Sequence, residues 1–197
     1  MGSLLRLSAA IDWINDKFGK LTGWLVLAAV LVSTLNAVAR YGFSAGSNAW
    51  LELQWYLFGA VFLLAAGYTL KNNEHIRIDI VSSLLSQRTR NIIDLIGHVL
   101  FLAPLCLLLI WLGGPFFLRS FWSGEISGSA GGLVIWPAKL LLPAGFILLM
   151  LQGISEFIKR IAVMQGLIPE PYSRGGGHGA PAESAAADES PRGGRPS

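Results

Sequence analysis

The chain has 197 residues, of which 53% are hydrophobic and only 14% are charged, and its formal net charge is +3. Because a soluble domain normally carries about a quarter charged residues, this composition excludes an ordinary soluble protein and predicts an all-α integral membrane protein. The basic residues lie near the ends of apolar runs, which indicates orientation in a lipid bilayer rather than binding to nucleic acid. The single cysteine, Cys106, excludes a disulfide or a paired-cysteine metal site within the chain.

The first predicted element is an amphipathic helix in residues 1–20. Its apolar residues recur at spacings of three and four, namely Leu4, Leu7, Ile11, Ile14 and Phe18. Polar residues occupy the rest of the helical wheel, so this helix is expected to lie in the membrane interface.

Four apolar runs follow, each long enough to cross a hydrocarbon core, which takes about 20 helical residues. They are residues 21–39, 50–70, 92–112 and 133–154. The first run ends in small residues, as a signal-peptide cleavage site would, but it exceeds the roughly 7 to 15 apolar residues of a signal peptide. The sequence therefore predicts a four-helix membrane domain in residues 21–160. A disordered cytoplasmic tail is predicted for residues 161–197, most of which are Pro, Gly, Ala, Ser and scattered charges.

The distribution of basic residues predicts the orientation in the membrane. Basic residues crowd the region before the first run, the connection between the second and third, and the region after the fourth, whereas the other side has only Arg40, Arg119 and Lys139. By the positive-inside rule, the protein is expected to lie in an inner membrane with both termini in the cytoplasm. Tryptophans gather at the opposite, outer interface, namely Trp50, Trp55, Trp111, Trp122 and Trp136.

The apolar runs carry few groups that could bind an ion or a cofactor. Their middles are apolar, and four ionisable residues near their ends are interpreted as snorkelling to an interface, namely Arg40, Glu52, Asp94 and Glu156. His98 is the one histidine within a run, so a haem held by two histidines of this chain is not predicted, and His98 is interpreted as a packing or interfacial residue. We predict no enzymatic activity, no cofactor and no metal site. A membrane anchor subunit of a haem- or quinone-linked respiratory complex stays open as the alternative function.

The candidate functional residues are polar and aromatic side chains at the edges of the runs, which could contact other subunits. The first run carries a stripe of small and polar residues, and the second repeats Gly59-Ala60 as Ala66-Gly67, a pattern typical of close helix packing. Glu52 and Gln54 have no evident partner within the chain. The predicted partner-interface residues are Asn36, Arg40, Trp50, Glu52, Gln54, Trp55, His75, Arg77 and Asp79.

Three successive stretches resemble a known family. They are Arg40-Tyr41-Gly42-Phe43, WLELQWYLF at residues 50–58 and HIRIDI at residues 75–80. They resemble the signature stretches of the small membrane subunit of TRAP transporters, the tripartite ATP-independent periplasmic transporters, and the resemblance covers residues 11–160. In one departure from the family pattern, Glu52 is followed by Leu53 where many members have a second acid.

The resemblance implies a non-catalytic subunit of a secondary transporter. In that family a large membrane subunit holds the substrate and sodium sites, and a soluble periplasmic protein delivers the substrate, often an organic acid. The small subunit is expected to brace the large one and to help form the docking surface for the binding protein. The HIRIDI stretch is then expected to brace the inner surface, with Ile76 and Ile78 dipping into the interface and Asp79 capping a short helix.

Overall fold

The computed structural model describes residues 2–72 and 87–167, without the side chains of Gln87, Arg88 and Arg90. These residues form α1 (Gly2–Gly42), α2 (Asn48–Lys71), α3 (Gln87–Gly97), a π-helical turn (His98–Leu102), α4 (Ala103–Ser123) and α5 (Trp136–Met164). Since α3, the π turn and α4 follow one another without a break, the described residues contain four helical rods long and apolar enough to cross a membrane. The predicted all-α membrane fold is confirmed.

The helices are longer than the apolar runs that predicted them. α1 has 41 residues and includes both the predicted interfacial helix and the first run, with no boundary near residue 20. The interfacial position of residues 1–20 stays a prediction. α5 continues to Met164, so residues 161–164 belong to the helix and not to the predicted tail, whose residues beyond 167 lie outside the described part.

The π turn in the third rod has a cause in the sequence. Pro104 has no backbone N–H to donate to the carbonyl four residues earlier, and its ring crowds that carbonyl. The turn widens accordingly, and the N–H of Ala103 donates to the carbonyl of His98. Pro104 is therefore accommodated by a local π-helical turn.

α5 is the central helix of the bundle, because it packs against α1, α2 and α4. Ala60 and Leu64 of α2 form a core cluster with Leu148 of α5. The other rods expose much of their apolar surface; the side chain of Phe62, for example, is 79% exposed. Such surface is expected where lipid or another subunit covers a helix.

Glycines allow the backbones to approach closely at two crossings with α2. A Cβ atom built at Gly67 would lie 2.1 Å from Oδ1 of Asn15 in α1 and 3.2 Å from the backbone oxygen of Leu148 in α5. At Gly145 of α5, a Cβ atom would lie 2.8 Å from the backbone oxygen of Leu63 in α2. Of the small residues predicted for packing, Ala60 and Gly67 are buried in contacts within this chain. Gly59 is not at such a contact, because a Cβ atom built there would meet no atom within 4 Å.

A network of buried polar side chains, here called the polar junction, joins the start of α1 to the end of α5. Its members are Ser8, Asp12, Asn15, Gln152, Ser155, Glu156 and Lys159. Gln152 is its centre: its Nε2 donates to Asp12 Oδ1 at 2.8 Å and to Glu156 Oε1 at 3.1 Å, and its Oε1 accepts from Asn15 Nδ2 at 2.9 Å. Both Gln152 and Asn15 are 0% exposed. One glutamine side chain thus connects three polar groups that hydrocarbon could not solvate.

Serine and lysine side chains complete the polar junction. Ser155 Oγ donates to Asp12 Oδ1 at 2.8 Å and lies 2.7 Å from Ser8 Oγ. Lys159 forms ion pairs with Asp12, 3.1 Å from its Oδ2, and with Glu156. The interpretation of Glu156 as a snorkelling acid is therefore wrong, because its side chain is buried and paired inside the bundle.

Two further ion pairs connect the other helices at this end. Arg160 of α5 donates to Asn91 Oδ1 at 2.7 Å and lies 3.1 Å from Asp94 Oδ2 of α3, so Asp94 is also paired rather than snorkelling. Lys71 of α2 pairs with Asp16 of α1. The end of the bundle that includes Gly2 and Met164 is here called the termini end. At this end, each of the four rods forms an ion pair with another rod.

Gly67→Ala should destabilise the protein more than Gly59→Ala in the same helix. A methyl group at Gly67 overlaps the side chain of Asn15 and crowds the backbone of α5, and such overpacking costs about 1–3 kcal/mol. Thermal unfolding of the purified chain in detergent, followed by circular dichroism, measures the difference. Equal unfolding temperatures for the two variants would show that α1, α2 and α5 do not meet at Gly67.

Gln152→Ala should also lower the free energy of unfolding, by about 1–3 kcal/mol, because it removes the hydrogen bonds to Asp12 and Glu156 and leaves one buried N–H of Asn15 without its acceptor. The matched control is Gln165→Ala, at the exposed C-terminal cap of the same helix. Denaturant titration of both variants measures the cost. A Gln152 variant as stable as the control would contradict the central place given to this side chain.

Candidate functional site

The connections of residues 43–47 and 124–135 lie together at the other end of the bundle, here called the loop end. Residues 124–135 form a short antiparallel hairpin with a β-bridge between Ile126 and Val134. Ser127 donates its N–H to the oxygen of Leu133 at 2.9 Å, and Ile135 donates to Glu125 at 3.0 Å. The glycine- and serine-rich connection therefore has a hydrogen-bonded backbone.

Glu52, in the first turns of α2, holds both strands of this hairpin. Its Oε2 accepts a hydrogen bond from the N–H of Leu133 at 2.7 Å, and its Oε1 accepts one from the hydroxyl of Ser127. The expectation that Glu52 lacks a partner within the chain is therefore wrong. The reason is tertiary: the hairpin folds back over the start of α2, more than seventy residues away in sequence.

Two neighbours of Glu52 on α2 also bind the hairpin backbone. Asn48 Nδ2 donates to the oxygen of Ala130 at 3.1 Å, and the hydroxyl of Tyr56 lies 3.4 Å from the oxygen of Val134. Asn48, Glu52 and Tyr56 are each four residues apart, so they lie on one face of α2. Sequence reasoning missed Asn48 and Tyr56, although this spacing was the signal that could have found them.

On its other side the hairpin is joined to α4 and α5. Glu125 forms an ion pair with Lys139, whose ammonium lies 4.3 Å from the centre of the Phe116 ring. The hydrogen bond from Lys139 lowers the pKa of the Glu125 carboxyl below its ordinary value. Phe121 packs edge-to-face on Trp136, with the ring centres 5.4 Å apart. Contacts from α2, α4 and α5 together fix the position of the hairpin.

Exposed aromatic side chains surround the loop end. Trp50, Trp55 and Trp122 are exposed, with Trp122 reaching 81%, whereas Trp136 is partly covered by the aromatic contact with α4. Trp111 is also exposed but lies twelve residues before the end of α4, about 18 Å along the helix, so it is not at the loop end as predicted. Aromatic rings in this position suit either a membrane interface or contact with another protein.

The remaining predicted partner-interface residues differ in their surroundings. Arg40 is exposed and forms no ion pair with Glu52, whose carboxylate instead binds the hairpin. Asn36 is 7% exposed, and its side-chain amide makes no hydrogen bond to another described residue. Gln54 is half-buried. His75, Arg77 and Asp79 lie outside the described residues, so the brace predicted at the inner surface stays a prediction.

The described residues contain no group of three or more His, Cys, Asp or Glu side chains that could hold a metal ion. Their ionisable groups instead form contacts between helices, at the polar junction and around the hairpin. The chemistry that this arrangement supports is recognition and packing.

Comparison with known proteins identifies the family. A model of the family described as tripartite ATP-independent periplasmic transporters, DctQ component, matches residues 8–163. No curated protein matches the chain. The family match begins at Ser8 in the polar junction and extends to the last turn of α5, so it includes all four helical rods and the hairpin. It confirms the resemblance seen at residues 40–43, 50–58 and 75–80. The chain therefore belongs to the DctQ component family, and it is a multi-pass membrane component of a tripartite transporter, which implies a large membrane subunit and a periplasmic binding protein as partners.

Proposed function

We propose that this chain is the non-catalytic small subunit that braces the large membrane subunit of its transporter and helps to dock the periplasmic binding protein, during sodium-coupled uptake of an organic acid. The observation that carries the proposal is the hairpin at the loop end, which Glu52 holds by both strands amid exposed aromatic side chains. A fixed surface of this kind suits docking, because little conformational entropy is lost when a rigid segment binds.

A bracing role is supported by how the chain uses its polar groups. Near the termini end, Lys159 forms ion pairs with both Asp12 and Glu156. The core between α2 and α5 is apolar at Ala60 and Leu148. A protein that moves ions by itself usually keeps ionisable groups near the membrane midplane. The described spans instead combine an end whose charged groups pair within the chain with wide exposed apolar faces that another membrane subunit can cover.

The docking role requires that the loop end face the periplasm. Support for this orientation comes from the basic residues, which are more numerous at the termini end and in the connection after α2 than at the loop end. The exposed tryptophans at the loop end agree with an outer interface on that side.

Topology reporters should confirm this orientation. Fusions of an enzyme active only in the cytoplasm should be active after Arg90 and after Ile168, and fusions of a periplasm-dependent reporter should be active within residues 123–132. The physical reason is the cost of moving clustered basic residues across the membrane. The inverted pattern would exclude docking of a periplasmic protein on the hairpin.

Glu52→Ala should weaken assembly with the large subunit or substrate uptake severalfold, and more than Glu125→Ala. The first change removes acceptors from both strands of the hairpin, whereas the second removes one exposed ion pair at its base. Co-purification of the two membrane subunits and uptake in proteoliposomes with the binding protein should be measured at matched expression.

Two comparisons make this test specific. Proteoliposomes that lack the small subunit give the uptake expected when bracing and docking are lost altogether. If the Glu52 variant assembles and transports like the parent while omission of the chain abolishes uptake, the bracing role survives and the role of the hairpin is refuted.

A further inference from the structure

A cavity of about 160 Å³ lies between the π-helical turn and α5, beside the polar junction but with none of the junction residues in its lining. His98 and Ala103 line one wall, and Gly153 lines the other. A Cβ atom at Gly153 would lie 2.7 Å from Cδ2 of Leu102, so the glycine leaves room for the end of this leucine side chain beside the cavity. Val99 and Ile154 also line the cavity and are exposed, so it faces the outside of the bundle.

His98 is the polar group of this otherwise apolar cavity, and one of its ring nitrogens lacks a partner. Nδ1 lies 2.6 Å from the backbone oxygen of Asp94, which can only accept, so Nδ1 carries the hydrogen. In the neutral ring Nε2 then presents a lone pair. Nε2 is buried and has no hydrogen-bond partner among the described residues. A buried acceptor without a donor is unfavourable, so the geometry favours an occupant that brings one.

The size of the cavity restricts that occupant. An engineered protein cavity of about 150 Å³ binds benzene, so a space of this volume holds one aromatic ring. A tyrosine side chain combines a six-membered aromatic ring with a hydroxyl that can donate to Nε2, whereas the indole of tryptophan is larger than benzene. Lipid acyl chains fit the apolar walls but carry no donor.

The depth of the cavity favours a protein side chain over a lipid headgroup. Gly153 directly follows Gln152, the innermost α5 member of the polar junction, and lies six residues from Lys159, about 9 Å along the helix from that charged group. Next to the cavity, the exposed side chains of Leu100 and Phe101 extend the apolar surface of the third rod. A neighbouring transmembrane helix can cover this surface and reach the cavity at the same depth.

We propose that a tyrosine side chain of the large membrane subunit enters this cavity and donates its hydroxyl hydrogen to Nε2 of His98. The inference rests on the proposed function, since it needs the large subunit as the neighbour, and it names the contact by which the two subunits recognise each other within the membrane.

The first experiment uses the isolated full chain and a tyrosine side-chain analogue. The histidine ring nitrogens are labelled with ¹⁵N, and p-cresol or toluene is added to the chain in detergent. We expect p-cresol to shift the Nε2 resonance of His98, assigned by its loss in His98→Phe, and toluene to shift it much less. No response to p-cresol, or equal responses to both, would overturn the proposal.

The second experiment uses the complex with the large subunit. His98→Phe keeps a ring but removes the acceptor, and Ala103→Leu keeps His98 but fills the cavity, so both should weaken subunit association by about three- to tenfold. His98→Gln, which retains an acceptor, should restore part of the loss. Circular dichroism of each isolated variant checks that it is folded.

The outcomes separate this inference from the proposed function. In the parental complex p-cresol should no longer shift the His98 resonance, because the tyrosine occupies the cavity. If the parent associates with the large subunit but p-cresol still reaches His98, or the variants associate normally, only the cavity contact is refuted. If the parent does not associate with the large subunit at all, both the proposed function and this inference are refuted.

Discussion

Asp12 and Asn15 impose the constraint on which the rest of the fold depends. Asn15 is fully buried and Asp12 partly so where α1 packs against α5, and α5 supplies partners for both through Gln152. Pairing them orients the buried face of α5 toward α1. With α5 so placed, α2 can approach both helices at Gly67, and the third rod can pack on the remaining side of α5.

The two ends of the bundle are joined by different means. The termini end uses side-chain charges and amides buried between helices, whereas the loop end uses a hairpin whose backbone binds Glu52, Asn48 and Tyr56 of α2. Between them the core is apolar and packs through small residues. A bundle fastened at both ends resists sliding of one helix past another, which agrees with the bracing role proposed above.

The four spans could be predicted because length and apolarity alone decide whether a helix crosses a bilayer. The contacts between spans were harder to predict, since residues facing lipid are as apolar as residues facing the core, and the pattern does not show how each helix is rotated. The polar junction is the instructive exception: Ser8, Asp12 and Asn15 recur at spacings of four and three, as Gln152, Ser155 and Lys159 do at three and four. The hairpin contact with Glu52 had no such local signal, because it joins segments far apart in sequence. Glu52 was therefore singled out from the sequence but with the wrong surroundings, and its contact with a partner stays a prediction.

The polar junction also has a consequence for biosynthesis. Asp12 and Ser155 are separated by 143 positions, so the ribosome makes the two partners between roughly 7 and 30 s apart. Throughout that interval the polar face of α1 has no α5 to bind, and its carboxylate and amide groups depend on water, lipid headgroups or the insertion machinery. α1 therefore reaches its final membrane environment only when the last helix has been synthesised and inserted. A nascent chain that stops before α5 leaves an unsatisfied acid on its first helix, which is a feature that membrane quality control can detect.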